Sequence, residues 1–279
     1  MPSGLLLLLG GCAAGVPVAR THALPEESRY VAMGSSFAAG PGVTSPAENP
    51  TNRCSRSADN YAHQLARKRN LFLVDVSCAG ATTAHILGPW GELPPQLNAV
   101  DADTRLVTIT IGGNDVSYMG WLVSASCQQV GPLPGAPSTG CPVRSAVSEE
   151  TWSGLELRMR RIAGEVRRRA PDARIVFVDY LSVLPATGTC PNAPMTRDGA
   201  NLSRAVARRL AAITAQAARD AGAELLPAST LSRGHDACSR NAWVTGYARL
   251  AAAKTRVPYH PNLAGMSAVA DALDQRIGR

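Results

Sequence analysis

Four short blocks along this 279-residue chain carry residue types that could do chemistry together. The first, Gly34-Ser35-Ser36-Phe37-Ala38-Ala39-Gly40-Pro41-Gly42, sets two serines among glycines directly after an apolar run. Ser77-Cys78-Ala79-Gly80-Ala81-Thr82-Thr83 and Gly112-Gly113-Asn114-Asp115 follow, and Tyr259-His260-Pro261-Asn262-Leu263-Ala264-Gly265 lies near the C-terminus. Glycines flanking a serine just past a buried strand let the backbone turn sharply and expose the hydroxyl at a sheet edge. Such a hydroxyl attacks a carbonyl only when a base lies within hydrogen-bond reach and donors face the developing oxyanion. The blocks contain a hydroxyl, an imidazole, a glycine-rich backbone and a carboxamide. Together these are the parts of an acyl-transfer site.

Something must hold those parts together, and hydrophobic patterning supplies it. Tyr30 to Met33 reads as a short buried strand ended by Gly34, and residues 35–56 as loop. Helical spacing runs from Ala58 to Asn70 and a second strand from Leu71 to Val76. Leu106 to Ile111 is a β-branched strand stopped by Gly112-Gly113. Residues 116–147, with Pro132, Pro134, Pro137 and Pro142, read as a long loop, and Trp121, Leu122 and Val123 within it are either a lipid-facing wall or a packed excursion. Helix 150–169, strand Arg174 to Val178, helix 198–221 and strand Glu224 to Leu226 come next, and a last helix opens after His260. Strands alternating with helices imply an α/β fold, a parallel sheet covered by helices on both faces. Ligands of such sheets bind beyond the carboxyl ends of the strands, where the blocks fall.

Composition narrows the function classes. The net charge is +7, yet every basic residue except Lys68 and Lys254 is arginine, a skew that fits base composition better than selection for phosphate contacts. Seven arginines lie between Arg158 and Arg174, but Leu155, Met159, Ile162 and Val166 thread through them at helical spacing. They form the solvated face of an amphipathic helix. Aromatic residues are only 5% of the chain, too few to serve as stacking platforms, so no nucleic-acid partner is expected.

At the N-terminus, Leu5 to Leu9 followed by Gly10-Gly11-Cys12 has the short apolar core and small residues of an export signal. The tetrad Leu9-Gly10-Gly11-Cys12 resembles a bacterial lipobox, which makes Cys12 a candidate for acylation and membrane anchoring; Met1-Pro2-Ser3-Gly4 supplies no basic region before it. Residues 1–28 are assigned to this signal and a tether, and 29–279 to one catalytic domain. Six further cysteines fit an exported disulfide framework and lack the close spacing of a zinc site. Their pairing is not determined by sequence; sequential bridges Cys54–Cys78, Cys127–Cys141 and Cys190–Cys238 are the expectation, since Cys127 and Cys141 bracket the Gly/Pro/Ser loop.

In order and spacing, the four blocks resemble the SGNH (GDSL-like) hydrolase superfamily, nearest to its secreted actinobacterial esterases, lipases and phospholipases. The resemblance runs from Tyr30 to Leu273 and implies a three-layer α/β/α, flavodoxin-like fold. It assigns the nucleophile to Ser36. The family's Asp before that serine is Ser35 here. It nominates the Ser36 and Gly80 backbone N–H groups and the Asn114 amide as oxyanion donors, and leaves Asp115 a structural role. Of the five histidines, His22 lies in the tether, His63 mid-helix at the expected surface, His85 near the mouth of the site and His235 in a loop beside Cys238. His260 remains as the base. Pro261 suits a first helical turn, so the helix dipole should disfavour the charged imidazole. The superfamily's Asp three residues earlier is Val257 here. Its main-chain carbonyl is the expected orienter of His260, with Asp236 the carboxylate alternative.

These readings converge on an exported serine ester hydrolase acting on a lipid or an acylated glycan, a monomer that needs no metal or cofactor. A polysaccharide or cell-wall deacetylase is the nearest alternative. A non-catalytic envelope lipoprotein on a degenerate hydrolase scaffold is the other, kept open by Ser35 and Val257.

Overall fold

The computed structural model describes residues 24–133, 140–247 and 257–278; the readings of Cys12 and His22 lie outside them. Five strands form one parallel sheet in the order β2-β1-β3-β4-β5: β1 (Arg29–Gly34), β2 (Phe72–Asp75), β3 (Thr104–Thr110), β4 (Arg174–Val178) and β5 (Glu224–Leu226). Val31 stands between Val74 on β2 and Val107 on β3, and Val107 in turn faces Ile175 on β4. The inner strands are buried along nearly their whole length, as strands covered on both faces must be. The fold is therefore α/β with a flavodoxin-like strand order.

The helices are α1 (Ser36–Ala39), α2 (Tyr61–Arg69), α3 (Thr83–Leu87), α4 (Tyr118–Val130), α5 (Glu149–Arg169), α6 (Arg197–Asp220), α7 (Ala228–Leu231) and α8 (Leu263–Ile277), with a 3₁₀ turn at Gln96–Ala99. Helix α2 packs against α8, while α5 packs against α3 and α6. On α5 the buried stripe is Leu155, Met159, Ile162 and Val166. Arg160, Arg161, Arg167 and Arg168 project outward as the spacing predicts, while Arg158 and Arg169 are half-buried and bond Thr83 and the Leu97 carbonyl. Glu149 and Glu150 stand in its first turn and Arg167 to Arg169 in its last, both favourable to the helix dipole.

Three expectations are corrected, the first being residues 35–56 as all loop: α1 occupies Ser36–Ala39. The stretch read as loop from 116 contains the thirteen-residue helix α4, with Leu122 fully buried. The proline density of that stretch begins only at Pro132, just past the helix, and it masked thirteen residues with no breaker except Gly120. Helix α2 starts at Tyr61 instead of Ala58, because the Asn60 side chain accepts from the Ala62 and His63 N–H groups, both at 3.0 Å, and caps it there.

Three disulfides are present: Cys54–Cys78, Cys127–Cys141 and Cys190–Cys238. The first ties the loop after α1 to the turn after β2, the second closes the end of α4, and the third pins the segment before α6 to that after α7. Among the described residues no helix is long and apolar enough to cross a membrane.

Candidate active site

Strand β1 delivers the first block. Gly34 has φ 141°, and a Cβ there would stand 2.3 Å from the Thr110 carbonyl oxygen, so only glycine passes so close to β3. The Ser35 N–H donates to that carbonyl at 2.9 Å, and α1 then opens at Ser36, closed after one turn by Gly40 in the left-handed region. A helix's first N–H groups have no intrahelical acceptor, and Ser36 opens α1. The Gln96 side chain clasps Gly34 from both sides, accepting from its N–H at 2.8 Å and donating to its carbonyl at 3.0 Å.

His260 reaches this serine across 224 positions of sequence: its Nε2 lies 2.8 Å from Ser36 Oγ. Its Nδ1 lies 2.8 Å from the Pro258 carbonyl oxygen. A carbonyl can only accept, so Nδ1 carries the proton and Nε2 presents a lone pair to the serine hydroxyl. Ser36 and His260 are both buried, and the ring of Phe37 sits 5.3 Å from the imidazole. Burial pushes the His260 pKa down from 6.5 to about 4, against the smaller opposing effect of the Pro258 carbonyl. The imidazole is therefore neutral at neutral pH.

The expected orienter was one residue off. The Val257 carbonyl does not meet His260; it accepts the Thr245 hydroxyl at 2.6 Å. Tyr259 adopts φ 60°, and with that left-handed residue between them Pro258 and His260 fold into a tight turn that points the Pro258 carbonyl at the ring. Thr245 holds this turn from the other side: its Oγ1 accepts the His260 N–H at 3.1 Å and its own N–H donates to the His260 carbonyl at 2.8 Å. Asp236 instead accepts the Cys238 N–H at 2.9 Å, within its own loop. Among the described residues no carboxylate pairs with His260. The helix-dipole expectation also shifts, since Asn262 caps α8 and the helix starts at Leu263; burial does what the dipole was expected to do.

The second and third blocks are fastened to the first. The Cys78 N–H donates to the Gly34 carbonyl at 3.0 Å and the Ala79 N–H to the Cys54 carbonyl at 3.0 Å. Gly80 follows with φ 88°, where a Cβ would press on the Trp90 ring at 3.1 Å. Asn114 spends one amide hydrogen on the Ala81 carbonyl, 2.8 Å away and adjacent to Gly80, which leaves the second free. Asp115 accepts the Thr83 N–H at 3.0 Å and the Thr83 hydroxyl, and Arg158 lies 3.5 Å from it. It is thus a bracket between the two loops. The ends of β1, β2 and β3 thereby bring Ser36, Gly80 and Asn114 to one edge of the sheet.

The remaining described histidines have other partners. His85 accepts the Thr82 N–H at 3.1 Å and stacks on Trp90, and His235 binds the Asn241 carbonyl and stacks on Trp243. His63, expected at the surface, is half-buried with Nδ1 at 3.1 Å from Asn60 and 3.5 Å from Asp75. Sequence reasoning missed Gln96, Thr245 and Tyr180. Tyr180 follows β4, so the rule that sites lie beyond strand ends could have flagged it. No local pattern marks Gln96 or Thr245, whose partners are far away in sequence. No cluster of histidine, cysteine or acidic side chains suited to a metal occurs among the described residues.

Beside Tyr180 lies a cavity of about 400 Å³ lined by Leu181, Val183, Leu184 and Ala207, with Arg204 and Asp236 at its polar edge. Tyr180, Arg208 and Arg233 also line it, and none of Ser36, Gly80, Asn114 or His260 does.

Comparison with known proteins agrees with this architecture. The model of the GDSL-like Lipase/Acylhydrolase family matches residues 32–268. The chain is 33% identical to Lipase 2 of Streptomyces coelicolor over 275 residues, covering 94% of this chain and 92% of that protein. It is 27% identical to a lipase of Streptomyces rimosus, covering 94% and 89%. Among solved structures, phospholipase A1 from Streptomyces albidoflavus superposes with TM-score 0.71 at 22% identity, over 89% of this chain and 99% of that one. The extracellular lipase of Streptomyces rimosus does so with TM-score 0.69 at 23% identity and the same coverage. The chain belongs to the GDSL-like lipase/acylhydrolase family and is a carboxylic ester hydrolase.

Proposed function

We propose that this hydrolase works through an acyl-enzyme on Ser36 with His260 as its only proton-transfer partner, and that its substrates are lipid esters. The observation that carries the reading is the 2.8 Å contact from His260 Nε2 to Ser36 Oγ, made by an imidazole whose other nitrogen is held by the Pro258 carbonyl. Nε2 takes the hydroxyl proton as Oγ bonds to the ester carbonyl carbon. The carbonyl oxygen becomes an oxyanion facing the Ser36 and Gly80 N–H groups and the free Asn114 amide hydrogen. As the tetrahedral intermediate collapses, the C–O bond to the alcohol breaks and the imidazolium returns the proton to the leaving oxygen. Water then repeats the sequence on the acyl-enzyme and releases the acid.

No carboxylate is needed for this cycle. The Pro258 carbonyl fixes the tautomer and offers a dipole to the imidazolium that forms transiently, so Val257 in place of an acid does not disable the site. Ser35 likewise keeps a partner, Tyr180, 3.0 Å away. A lipid substrate is supported by relatives named lipases. Three disulfides and the extracellular relative support export to an oxidising compartment, with residues 1–28 read as signal and tether. The lipobox-like Leu9-Gly10-Gly11-Cys12 alone makes Cys12 the candidate acylation point. We place the enzyme there as a monomer.

The test is hydrolysis of p-nitrophenyl esters from acetyl to palmitoyl by wild type and Ser36→Ala. The reading requires turnover that is lost in the variant and a preference for chains longer than acetyl. Activity surviving in Ser36→Ala would overturn the nucleophile, and an acetyl preference would overturn the lipid assignment.

A further inference from the structure

Tyr180 joins the residue before the nucleophile to the residue before the oxyanion amide. Its hydroxyl oxygen accepts the Gly113 N–H at 2.8 Å and lies 3.0 Å from Ser35 Oγ. Asn114 is the neighbour of Gly113, and Ser36 is the neighbour of Ser35. The direction of the bonds follows from counting protons. Gly113 can only donate, and the arrangement that pairs every proton has the Tyr180 hydroxyl donating to Ser35 Oγ and the Ser35 hydroxyl to the Thr110 carbonyl, 3.5 Å away. Every donor in this buried chain then has an acceptor.

The bridge has little freedom to move. Tyr180 is buried and its ring lies 4.7 Å from Phe37 and 5.9 Å, edge-on, from Tyr118. A Cβ on Gly113 would meet the Tyr180 ring and hydroxyl at 2.7 Å, so ring and backbone are in direct contact. Each linked residue is joined to the reacting one by a single planar peptide unit, which transmits position with few soft torsions.

We propose that the Tyr180 hydroxyl is a positioning device that sets the separation between Ser36 and the Asn114 amide, so that the oxyanion forms within reach of its donor. It bonds neither Ser36 nor His260 and acts through Asn114. The inference rests on the acyl-transfer reading of Asn114 given above. A preorganised donor works only at its set position, and a shift of about 1 Å can cost about 100-fold in rate.

The experiment is a double-mutant cycle on a p-nitrophenyl ester, with active sites counted by titration with a p-nitrophenyl phosphonate. Tyr180→Phe should lower kcat per titrated site by about 10- to 100-fold while KM stays within about twofold. The loss should shrink to about twofold or less when Asn114 is already Ala. Unchanged kcat per site in Tyr180→Phe, with or without a fall in Tm, would make the hydroxyl merely structural and overturn the proposal. So would a loss that multiplies in full with Asn114→Ala. If Tyr180→Phe does not fold, Ser35→Ala removes only the acceptor at the end of the bridge, and the same two outcomes decide. A wild-type rate in Asn114→Ala alone would overturn the reading of Asn114 itself, which separates that failure from failure of the bridge.

Discussion

His260 Nδ1 is held 2.8 Å from the Pro258 carbonyl oxygen, two residues back along its own chain, and by no acid among the described residues. A base oriented by its own backbone moves with its loop, so the fidelity of the site depends on what fixes residues 257–260. Thr245 does most of this fixing, bonding the His260 N–H and carbonyl and the Val257 carbonyl.

Thr245→Val should therefore lower kcat by about 10-fold or more with the fold intact, because it frees the turn without touching the reacting atoms. Asp236→Asn should leave kcat within about twofold, since that side chain serves the Cys238 N–H. Steady-state kinetics of both variants decide between the backbone orienter and a carboxylate: a large loss in Asp236→Asn with an unaffected Thr245→Val would contradict the assignment.

The pH profile follows from burial. With its pKa near 4, His260 is neutral and able to accept a proton through the neutral range, so kcat/KM should be flat there and fall only as pH approaches 4. An acid limb centred near 6.5 would contradict this. The same shift affects folding. The unfolded histidine binds a proton at higher pH than the folded one, so this group's contribution to stability is present above 6.5 and lost as pH falls toward 4. Asp179 opposes it: burial raises its pKa to about 6, so the folded state holds that proton longer and gains from acid over the same range. The clean observable is the difference in urea unfolding free energy between wild type and His260→Gln. It should grow from acid to neutral pH by a few kcal/mol.

Gly80→Ala probes the oxyanion donors from the backbone. Alanine at φ 88° is strained, and its Cβ would press on Trp90 at 3.1 Å, so the N–H must shift. Kinetics should show kcat reduced by about 100-fold or more with a smaller change in KM, comparable to losing one donor. An unaltered kcat would remove Gly80 from the site.

The disulfides give a prediction on mass and stability. The untreated protein should weigh less than the reduced one by the six hydrogens of three bridges. Replacing Cys190 and Cys238 together by alanine opens the bridge with the longest separation, 48 residues, and should cost about 2–4 kcal/mol in denaturant unfolding. Equal masses before and after reduction would contradict the framework.

Legibility in the sequence tracked how local each signal was. The strands were readable because β-branched runs such as Leu106 to Ile111 stop at glycines, and α5 because its apolar stripe repeats at helical spacing. Ser36, Gly80, Asn114 and His260 stood out because each follows a strand or opens a helix, and the family resemblance ordered them. Helix α4 was hidden by the prolines beyond it. Analogy with the position of a missing side chain points to Val257 for the carbonyl that meets His260. A backbone acceptor is chosen by turn geometry, and the left-handed Tyr259 that selects Pro258 has no signature in residue type. Tyr180, Thr245 and Gln96 act through long-range contacts to backbone groups, which periodicity does not reveal.

The measurement that bears most directly on the Ser36–His260 pair is intact and peptide mass after exposure to a p-nitrophenyl alkylphosphonate, for wild type, Ser36→Ala and His260→Ala. One phosphonyl group on the peptide containing Ser36 is expected in wild type, none in Ser36→Ala, and labelling at least about 100-fold slower in His260→Ala. A phosphonyl group on any other residue, or labelling of His260→Ala at the wild-type rate, would contradict the account.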